Sequence, residues 1–393
     1  MEKHNEKIGM LKRTWLEIDL DAMRKNYESI REFCGGSKIM AVIKADAYGH
    51  GAERSAELFE ELSAEYLAVS NIEEALQLRR NGISSAILIL GYTPPEFTGE
   101  LIEQNLTQTV FDTESLEMYD EMAEKAGKKL KVHIKIDTGM SRLGFSSDNE
   151  DETVAEISGL MNREWISFEG IFTHFAMADN PKSPYTDEQF ERFCRILKKL
   201  NEAGIDFSMK HAANSSASLN FPATRLDIIR PGLILYGVYP GSQTIPDLGL
   251  EAAMRFCSSV SQVRRIKKGT PVGYDCAFVA DRDMEIAVIP IGYADGLLRR
   301  ESRGAWFEIK GNRVSIVGNI CMDMCMVDVT GVVVSKGDRV TVFGSGKDGE
   351  MTINEAAKIA GTIPYELCCM VSKRVSRIYY QGGKQTGVRS YII

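Results

Sequence analysis

The sequence predicts an α/β fold in which an N-terminal (β/α)8 barrel of the TIM type is followed by a mainly β domain. Up to about residue 240, eight strand-like segments alternate with helix-like segments. Several of these strands are apolar without alternation, as expected for strands buried on both faces. After about residue 250 the helical pattern becomes scarce, and turn signals separate short strand-like runs. These observations together favour a barrel and a second domain.

The barrel prediction depends on the number and spacing of the strands. The eight segments are 38–44, 66–70, 86–90, 107–111, 131–137, 168–175, 207–213 and 228–237. Amphipathic stretches such as 115–127 and 187–203 lie between them and end near a glycine, as helices often do. A doubly wound open sheet is the alternative, but eight strand–helix units favour the barrel.

The second domain is predicted from short strands separated by turns. The runs are 256–266, 285–291, 306–310, 313–317, 326–329 and 339–343, with one clear helix at 354–360. We therefore divide the chain into a barrel, 1–250, and a β domain, 251–393. The segment 14–20 alternates like a strand before the first barrel unit, so residues 1–20 are a candidate to pair with the second domain.

Composition excludes several classes of function. The chain has 393 residues, 44% hydrophobic and 26% charged, with a formal net charge of −8. This acidic balance argues against general binding to nucleic acid or to anionic membranes. We see no secretory signal at the polar start and no run long enough to span a bilayer. The eight scattered cysteines form no CxxC pair, so we expect no zinc site and a reducing cytoplasmic setting.

Lys44 is the most informative single residue. It ends the apolar run 38–43 and is followed at once by small residues, Tyr48 and two glycines. An amine at a strand end beneath a tight loop suits attack on a carbonyl to form an imine. The alternative is a surface strand whose last lysine extends its ammonium into water.

Other polar residues end the remaining predicted strands. Barrel enzymes place their sites at the carboxyl ends of the strands. The fifth strand leads into a loop with Arg142, the sixth ends at His174, the seventh at His211 and the eighth carries Arg230. An amine, an imidazole and two guanidiniums should therefore meet at one opening. The set lacks a carboxylate–histidine cluster, so we expect no metal ion.

Eight motifs in order carry a family resemblance over nearly the whole chain. They are AVIKADAYGHG (41–51), KIDTGMSRLG (135–144), THF (173–175), NSSA (214–217), RPGLILYG (230–237), IGYADG (291–296), GNICMDM (318–324) and IPYE (363–366). The chain resembles the pyridoxal-phosphate-dependent alanine racemases. That family has a barrel followed by a β domain in a head-to-tail dimer, which agrees with the fold predicted above.

The resemblance implies a set of cofactor-binding residues. Lys44 would hold pyridoxal 5'-phosphate, and Arg230 would face its ring nitrogen. A guanidinium cannot readily accept a proton, so the ring would stay unprotonated and act as a weaker electron sink, which limits side reactions. The phosphate would be held by Tyr48, Ser215, Tyr365 and the backbone amides around Gly232 and Leu233. The alternative for Arg230 is a helix-end or surface ion pair, which its place before Pro231-Gly232 at a strand end disfavours. Taken alone, Tyr365 is typical of an ordinary post-proline turn aromatic.

The resemblance also implies two catalytic bases in a homodimer with shared sites. Lys44 would serve one face of the substrate α carbon, and Tyr293, delivered by the second subunit, would serve the other. His174 would link Tyr293 to Arg230. Taken alone, Tyr293 is typical of a packed loop aromatic and His174 of a core histidine.

The substrate side is implied by further matches. Arg142 would contact the cofactor phenolate and the substrate carboxylate. Lys135 would orient it as a carbamate, although an unmodified lysine is the alternative. Met322 and Asp323 would line the carboxylate side from the partner subunit, with Cys321 as a wall residue.

Two segments depart from the family pattern. Asp46 stands where asparagine is usual, which adds a negative charge near Lys44. The segment 273–278, GYDCAF, differs from the expected Ser-Tyr-Gly segment that helps shape the entrance.

These residues predict an isomerase that interconverts L- and D-alanine and supplies D-alanine for peptidoglycan if the source is bacterial. A racemase for serine or a broad range of small amino acids is the closest alternative, because an extra hydroxyl is hard to exclude by packing. A barrel-type decarboxylase would need a carboxylate at the ring nitrogen, where Arg230 is expected. A non-catalytic protein that stores the cofactor would have no use for Tyr293.

Overall fold

The N-terminal part of the chain is a nearly closed barrel of eight parallel strands. The structure is a computed structural model that describes residues 13–241 and 246–392. A first strand, β1 (Thr14–Asp19), precedes the barrel. The barrel strands are β2 (Lys38–Val42), β3 (Tyr66–Val69), β4 (Ile87–Ile89), β5 (Leu106–Val110), β6 (Leu130–Asp137), β8 (Ile166–Phe172), β9 (Met209–His211) and β10 (Ile228–Ile229), and β7 (Phe145–Ser146) is a short side strand on β6.

Helices separate the barrel strands and cover their outer face. They are α1 (Leu20–Phe33), α2 (Ala52–Glu61), α3 (Ile72–Arg80), α4 (Thr98–Glu103), α5 (Thr113–Ala126), α6 (Glu150–Leu160), α7 (Tyr185–Glu202) and α8 (Ser215–Asn220). The 3-10 turn Leu233–Tyr236 follows β10 and packs against α1. No helix in the described part of the chain is long and apolar enough to cross a membrane.

The pairing of the first and last barrel strands decides between the two predicted sheets. β10 pairs in parallel with β2, with Ile228 opposite Lys38. Between β9 and β10, Asp227 N–H donates to Lys210 O (3.1 Å) and Arg230 N–H to Ala213 O (2.9 Å). Both edges that an open sheet would expose are therefore covered. The barrel prediction is confirmed and the doubly wound alternative is wrong.

Two of the predicted strands differ markedly from the structure. The predicted eighth strand, 228–237, stops after Ile229, because Pro231 has no N–H to donate and Gly232 turns the chain into the 3-10 turn. The predicted run 256–266 is two strands in different sheets, β11 (Met254–Ser259) and β12 (Gln262–Ile266). An apolar pattern alone does not reveal such a change of sheet.

The C-terminal domain is mainly β, as predicted. Its further strands are β13 (Pro271–Val272), β14 (Phe278–Val279), β15 (Met284–Ile289), β16 (Trp306–Ile309), β17 (Asn312–Ser315), β18 (Cys325–Asp328), β19 (Arg339–Phe343), β20 (Ser376–Gln381) and β21 (Lys384–Arg389), with helices α9 (Ile353–Ala360) and α10 (Pro364–Met370). The large sheet has the order β17-β16-β19-β11-β1-β20-β21, and β12-β15-β18 form a smaller one.

Strand β1 lies inside the large C-terminal sheet. It runs antiparallel to β11, with Thr14 opposite Ser258, and parallel to β20, with Trp15 opposite Ser376. Asp19 ends the strand and caps α1, since its carboxylate accepts the N–H of Ala22 (3.0 Å). The chain therefore passes from the β domain into the barrel without a linker.

Candidate active site

A cavity of ≈ 350 Å³ opens at the carboxyl ends of the barrel strands. The residues that sequence reasoning placed there and that line it are Lys44, Tyr48, Lys135, Arg142, His174, Ser215, Arg230, Gly232 and Tyr365. Leu233 follows Gly232 and is fully buried. Tyr293, Cys321, Met322 and Asp323 lie on loops of the β domain and do not line this cavity.

A left-handed turn brings Lys44 and Tyr48 into the cavity. The four residues 45–48 have φ between 51° and 56°, which costs about 1–2 kcal/mol per non-glycine residue. Ala45 N–H donates to Glu74 Oε1 (2.7 Å) and Ala47 N–H to Ile43 O (2.9 Å). Strain of this kind persists only where the surroundings hold it, and it clusters at functional sites.

The cavity is lined by four cationic side chains, Lys44, Lys135, Arg142 and Arg230, and its lining in the described structure contains no carboxylate. Burial and then the charge of Arg142 lower the pKa of Lys44. The same causes, with Arg230, lower the pKa of Lys135 to about 8. A fraction of the Lys135 amine is therefore neutral near pH 7–8, and the neutral form of Lys44 is favoured relative to that of a free lysine. The positive charge around the cavity suits an anionic ligand.

Arg230 is held by a buried network of carbonyls and imidazoles. Its Nη2 donates to Thr173 O (2.8 Å), Ala212 O (3.0 Å) and His174 Nδ1 (3.2 Å), and its Nη1 donates to His211 Nδ1 (2.8 Å). Burial lowers its pKa to about 9, still above neutrality. The guanidinium therefore stays charged and points its donors at fixed acceptors.

This network fixes the protons on the histidines. A guanidinium only donates, so both Nδ1 atoms that it contacts are acceptors. Burial and Arg230 keep the pKa values of His174 and His211 well below 6.5. Each neutral ring then carries its proton on Nε2, and His211 donates to His133 Nδ1 (2.9 Å).

Sequence reasoning missed the supporting roles of His133 and His211. His211 was noted as the end of the seventh strand without a role. His133 precedes Lys135 by two residues on β6, so both face the same side of the strand. That spacing is the signal that could have identified it.

Ser215, Gly232 and Tyr48 form a compact cradle. Gly232 N–H donates to Ser215 Oγ (2.9 Å), and a Cβ atom at Gly232 would lie 2.6 Å from Tyr48 Oη. The rings of Tyr48 and Tyr365 are 6.1 Å apart. Burial raises the pKa of both phenols, so both remain protonated donors. Hydroxyls and a backbone amide in this arrangement fit a phosphate group.

Two loops of the β domain are joined into one exposed surface. Tyr293 N–H donates to Cys321 O (3.1 Å) and Ala294 N–H to Met322 O (3.0 Å). The side chains of Tyr293 and Met322 are 46% and 53% exposed. Asp323 is tied to Arg374 (2.9 Å). Tyr293 and Met322 are therefore exposed enough to contact another chain.

Tyr274 is a second exposed phenol on the β domain, and sequence reasoning gave it no role. It is 68% exposed, and the next residues, Asp275 and Cys276, have φ of 64° and 47°. Asn319 Nδ2 holds the turn by donating to Asp275 Oδ2 (3.2 Å). The only sequence signal was the departure of segment 273–278 from the family pattern.

Asp46 does not face the Lys44 cavity. One carboxylate oxygen accepts the N–H of Ala52 (2.9 Å) and the other accepts the hydroxyl of Tyr391. Asp46 instead lines a separate cleft on the far side of the turn. Its negative charge is directed away from the Lys44 amine.

Fold and site together define a barrel enzyme with an amine, an imidazole and two guanidiniums around a cavity for a small anionic ligand. Sequence models of the alanine racemase N-terminal and C-terminal domains match residues 18–240 and 253–379. The chain belongs to the alanine racemase family, and it is an isomerase that acts on amino acids. This confirms the family and the enzyme class that the sequence motifs predicted.

Curated relatives and solved structures cover nearly the whole chain. Alanine racemase 2 of Caldanaerobacter subterraneus subsp. tengcongensis is 42% identical over 96% of this chain and 98% of its own length. Alanine racemase of Methanococcus maripaludis is 45% identical over 93% and 98%. The structure of alanine racemase from Clostridium difficile 630 matches with a TM-score of 0.93 and 40% identity over 97% and 99%. That from Bacillus anthracis with bound L-Ala-P matches with 0.91 and 35% over 97% and 98%.

Proposed function

We propose that this chain interconverts L- and D-alanine with pyridoxal 5'-phosphate as cofactor. The observation that supports it most is the four cations around one small cavity whose lining carries no carboxylate. A phosphate, a phenolate and the carboxylate of an amino acid would together offset that charge. The alanine racemase names of relatives at about 40% identity support alanine rather than serine as substrate.

The residues present fit this cofactor. Lys44 would hold it, Arg230 would face the ring nitrogen, and the phosphate would lie among Ser215, Gly232, Leu233 and the hydroxyls of Tyr48 and Tyr365. Bound there, the cofactor would supply an electron sink for the charge left when the α proton is removed. Because Arg230 donates and stays charged, the site does not offer the carboxylate that a decarboxylase would place at the ring nitrogen.

Lys44 is the proposed proton carrier on one face of the substrate. Burial and the charge of Arg142 lower its pKa, which favours the neutral amine that can accept a proton. The left-handed turn fixes the backbone beneath this amine, so its position is set before substrate arrives.

The proton carrier on the other face is proposed to be a tyrosine of a second copy of the chain. The resemblance to the family names Tyr293 as this tyrosine. The strained backbone beside Tyr274 favours Tyr274 instead. Neither lines the cavity of its own chain, which supports a homodimer with shared sites. His174 Nε2–H is free to donate to a tyrosinate oxygen and so to ease the loss of the phenol proton.

Arg142 is proposed to bind the substrate carboxylate, with Met322, Asp323 and the wall residue Cys321 of the partner on the same side. Lys135, with a pKa of about 8, has enough neutral amine to add carbon dioxide. The resulting carbamate would place a negative charge beside Arg142 and orient it.

The proposed setting is the cytoplasm, where the product would supply D-alanine for peptidoglycan in a bacterial source. All eight cysteines are free thiols, which is typical of a reducing compartment.

The test is to purify the chain with the cofactor, trap the lysine adduct with borohydride and measure product chirality from L-alanine and L-serine. We expect a modified Lys44 and, in untrapped enzyme, conversion of L-alanine to an equal mixture of the two enantiomers with much slower conversion of L-serine. A preference for serine, or release of carbon dioxide, would contradict the proposal.

Tyr274→Phe and Tyr293→Phe, measured separately, then identify the base. The variant that lacks the catalytic base should racemise alanine about 10²-fold more slowly or worse, which is the usual effect of removing an acid–base group. If both variants racemise alanine normally, the tyrosine assignment is wrong.

A further inference from the structure

The C-terminal tail of the chain contacts the outer side of the turn that carries Lys44. Tyr391 lies two residues beyond β21, and its hydroxyl donates to Asp46 Oδ2. Arg377 of β20 is fully buried, its Nη2 lies 4.0 Å from the same carboxylate oxygen, and its Nε donates to Gly49 O (3.1 Å). The turn is thus held from the tail as well as from Glu74 on the barrel.

The tail is itself held in place by charge and aromatic contacts. The Tyr391 ring lies between two guanidiniums, 4.9 Å from that of Arg377 and 5.0 Å from that of Arg389. Arg389 also pairs with Glu53 in the first turn of α2 (2.6 Å). Tyr391 is therefore a fixed part of the structure around the turn.

A carboxylate at position 46 is suited to these contacts, because its two oxygens accept from two different donors. Asp46 uses one oxygen for Ala52 N–H and the other for Tyr391. Asparagine has a single acceptor oxygen, so it could not offer a separate oxygen to each donor. The carboxylate also carries the charge that faces Arg377.

We propose that Tyr391, together with Arg377, is a positioning residue that acts through Asp46 to hold the strained turn and so to place Lys44 and Tyr48 in the cavity. This inference rests on the proposed function, in which Lys44 carries the cofactor. It explains why a residue far from Lys44 in sequence contacts the turn whose backbone is left-handed over four residues.

The test is Tyr391→Phe, which keeps the ring between the two arginines and removes only the hydroxyl. We expect the Kd for pyridoxal 5'-phosphate to rise about 3- to 10-fold, which is less than the full effect of one lost hydrogen bond to a charged group, because the hydroxyl acts on the site only through the turn. The absorbance of the bound cofactor should shift and kcat should fall, with little change in KM. Tyr380→Phe is the matched control, because Tyr380 lies on β20 and packs with Trp15 and Cys257; it should leave all these values unchanged.

Asp46→Asn and the double variant test the route through Asp46. Asp46→Asn should resemble Tyr391→Phe, and adding Tyr391→Phe to it should have little further effect. Unchanged cofactor affinity, absorbance and kcat in both single variants would overturn the proposal, as would loss of thermal stability alone. If the unaltered chain itself forms no borohydride-reducible adduct with pyridoxal 5'-phosphate, the proposed function fails instead.

Discussion

At the scale of single residues, the permanent charge of Arg230 determines the protonation of the histidines that it contacts. Its donors force two imidazoles to accept, and those imidazoles become neutral, oriented groups with known tautomers. The position of Arg230 at a strand end was predictable from the barrel pattern. The hydrogen bonds were not, because His133, His174 and His211 come from three different strands.

Replacing Arg230 with glutamine tests how far its charge determines the state of the site. Arg230→Gln removes the charge and most donors, so His211 and His174 lose their fixed partner. We expect kcat/KM for alanine to fall by about 10²-fold, as when a preorganised donor is removed, and a side product such as pyruvate to rise. Chiral analysis and a pyruvate assay measure both. Normal racemisation without side product would show that Arg230 does not control the ring nitrogen.

A substitution at Gly232 tests whether the cradle of Ser215, Gly232 and Tyr48 binds the cofactor. A Cβ atom there would lie 2.6 Å from Tyr48 Oη, so Gly232→Ala should displace the phenol and weaken cofactor binding by about tenfold or more, one hydrogen bond or its equivalent. Gly159→Ala is the control: this helical glycine has open space around it. It should leave binding unchanged and stabilise the fold by about 0.5–1 kcal/mol. Equal cofactor affinity in the two variants would contradict the cradle.

At the scale of elements, the two exposed loops of the β domain are built on Asp295. This carboxylate is fully buried, pairs with Arg13 (2.6 Å) and accepts the N–H of Gly292 (3.1 Å). Gly292 packs against the other loop so closely that a Cβ would lie 2.3 Å from Cys321 O. The loops that carry Tyr293 and Met322 are therefore packed tightly against each other.

Asp295→Asn should disturb both loops at once. Asp295 is buried, but Arg13 is 41% exposed and still donates to Pro290 O (2.6 Å). We therefore expect a loss of only about 1–2 kcal/mol in stability with a marked loss of activity. Mixing this variant with Lys44→Ala subunits should restore activity, because one hybrid site then has an intact lysine and intact loops. Arg265→Met, which breaks an exposed pair with Glu285, should change little. No recovery after proven subunit exchange would place the defect within the variant's own barrel.

Element types were more predictable from sequence than backbone conformation. β19 has the bounds that its apolar run predicts, because a buried strand between turns leaves a clear pattern. The left-handed turn after Lys44 leaves almost none. Alanine and tyrosine do not favour positive φ, and only Asp46 is tolerant of it. Contacts from Glu74, Arg377 and Tyr391, distant in sequence, hold this conformation.

At the scale of the whole molecule, buried histidines link stability to pH. Burial lowers the pKa of His50 to about 4 and of His133 to about 3, and His174 and His211 lie well below 6.5. Below pH 6.5 these histidines bind protons in the unfolded chain but stay neutral in the folded chain. Stability should therefore fall as the pH drops from 6.5 towards 4, by up to about 1.4 kcal/mol per unit for each histidine.

Unfolding in urea at pH 8, 6.5 and 5 checks this direction. Glu301, whose pKa burial raises to about 7, acts oppositely, since its contribution is lost as the pH rises from 4.5 to 7. The one carboxyl group of Glu301 offsets only part of the pH dependence of stability that the four histidines cause. His50→Gln should make the fall between pH 6 and 5 shallower. Stability that is flat or increases towards pH 5 would contradict the neutral state of these rings.

The place of β1 has a consequence for how the chain is made. The large C-terminal sheet needs this strand in its interior, between β11 and β20. During synthesis, β1 is made before the rest of this sheet; one of its neighbours follows some 240 residues later and the other some 360 residues later. Such long-range pairing is slow and leaves strand edges exposed. The nascent chain therefore cannot complete this sheet until β20 has been made, and a fragment that begins at residue 251 would lack an interior strand of the sheet.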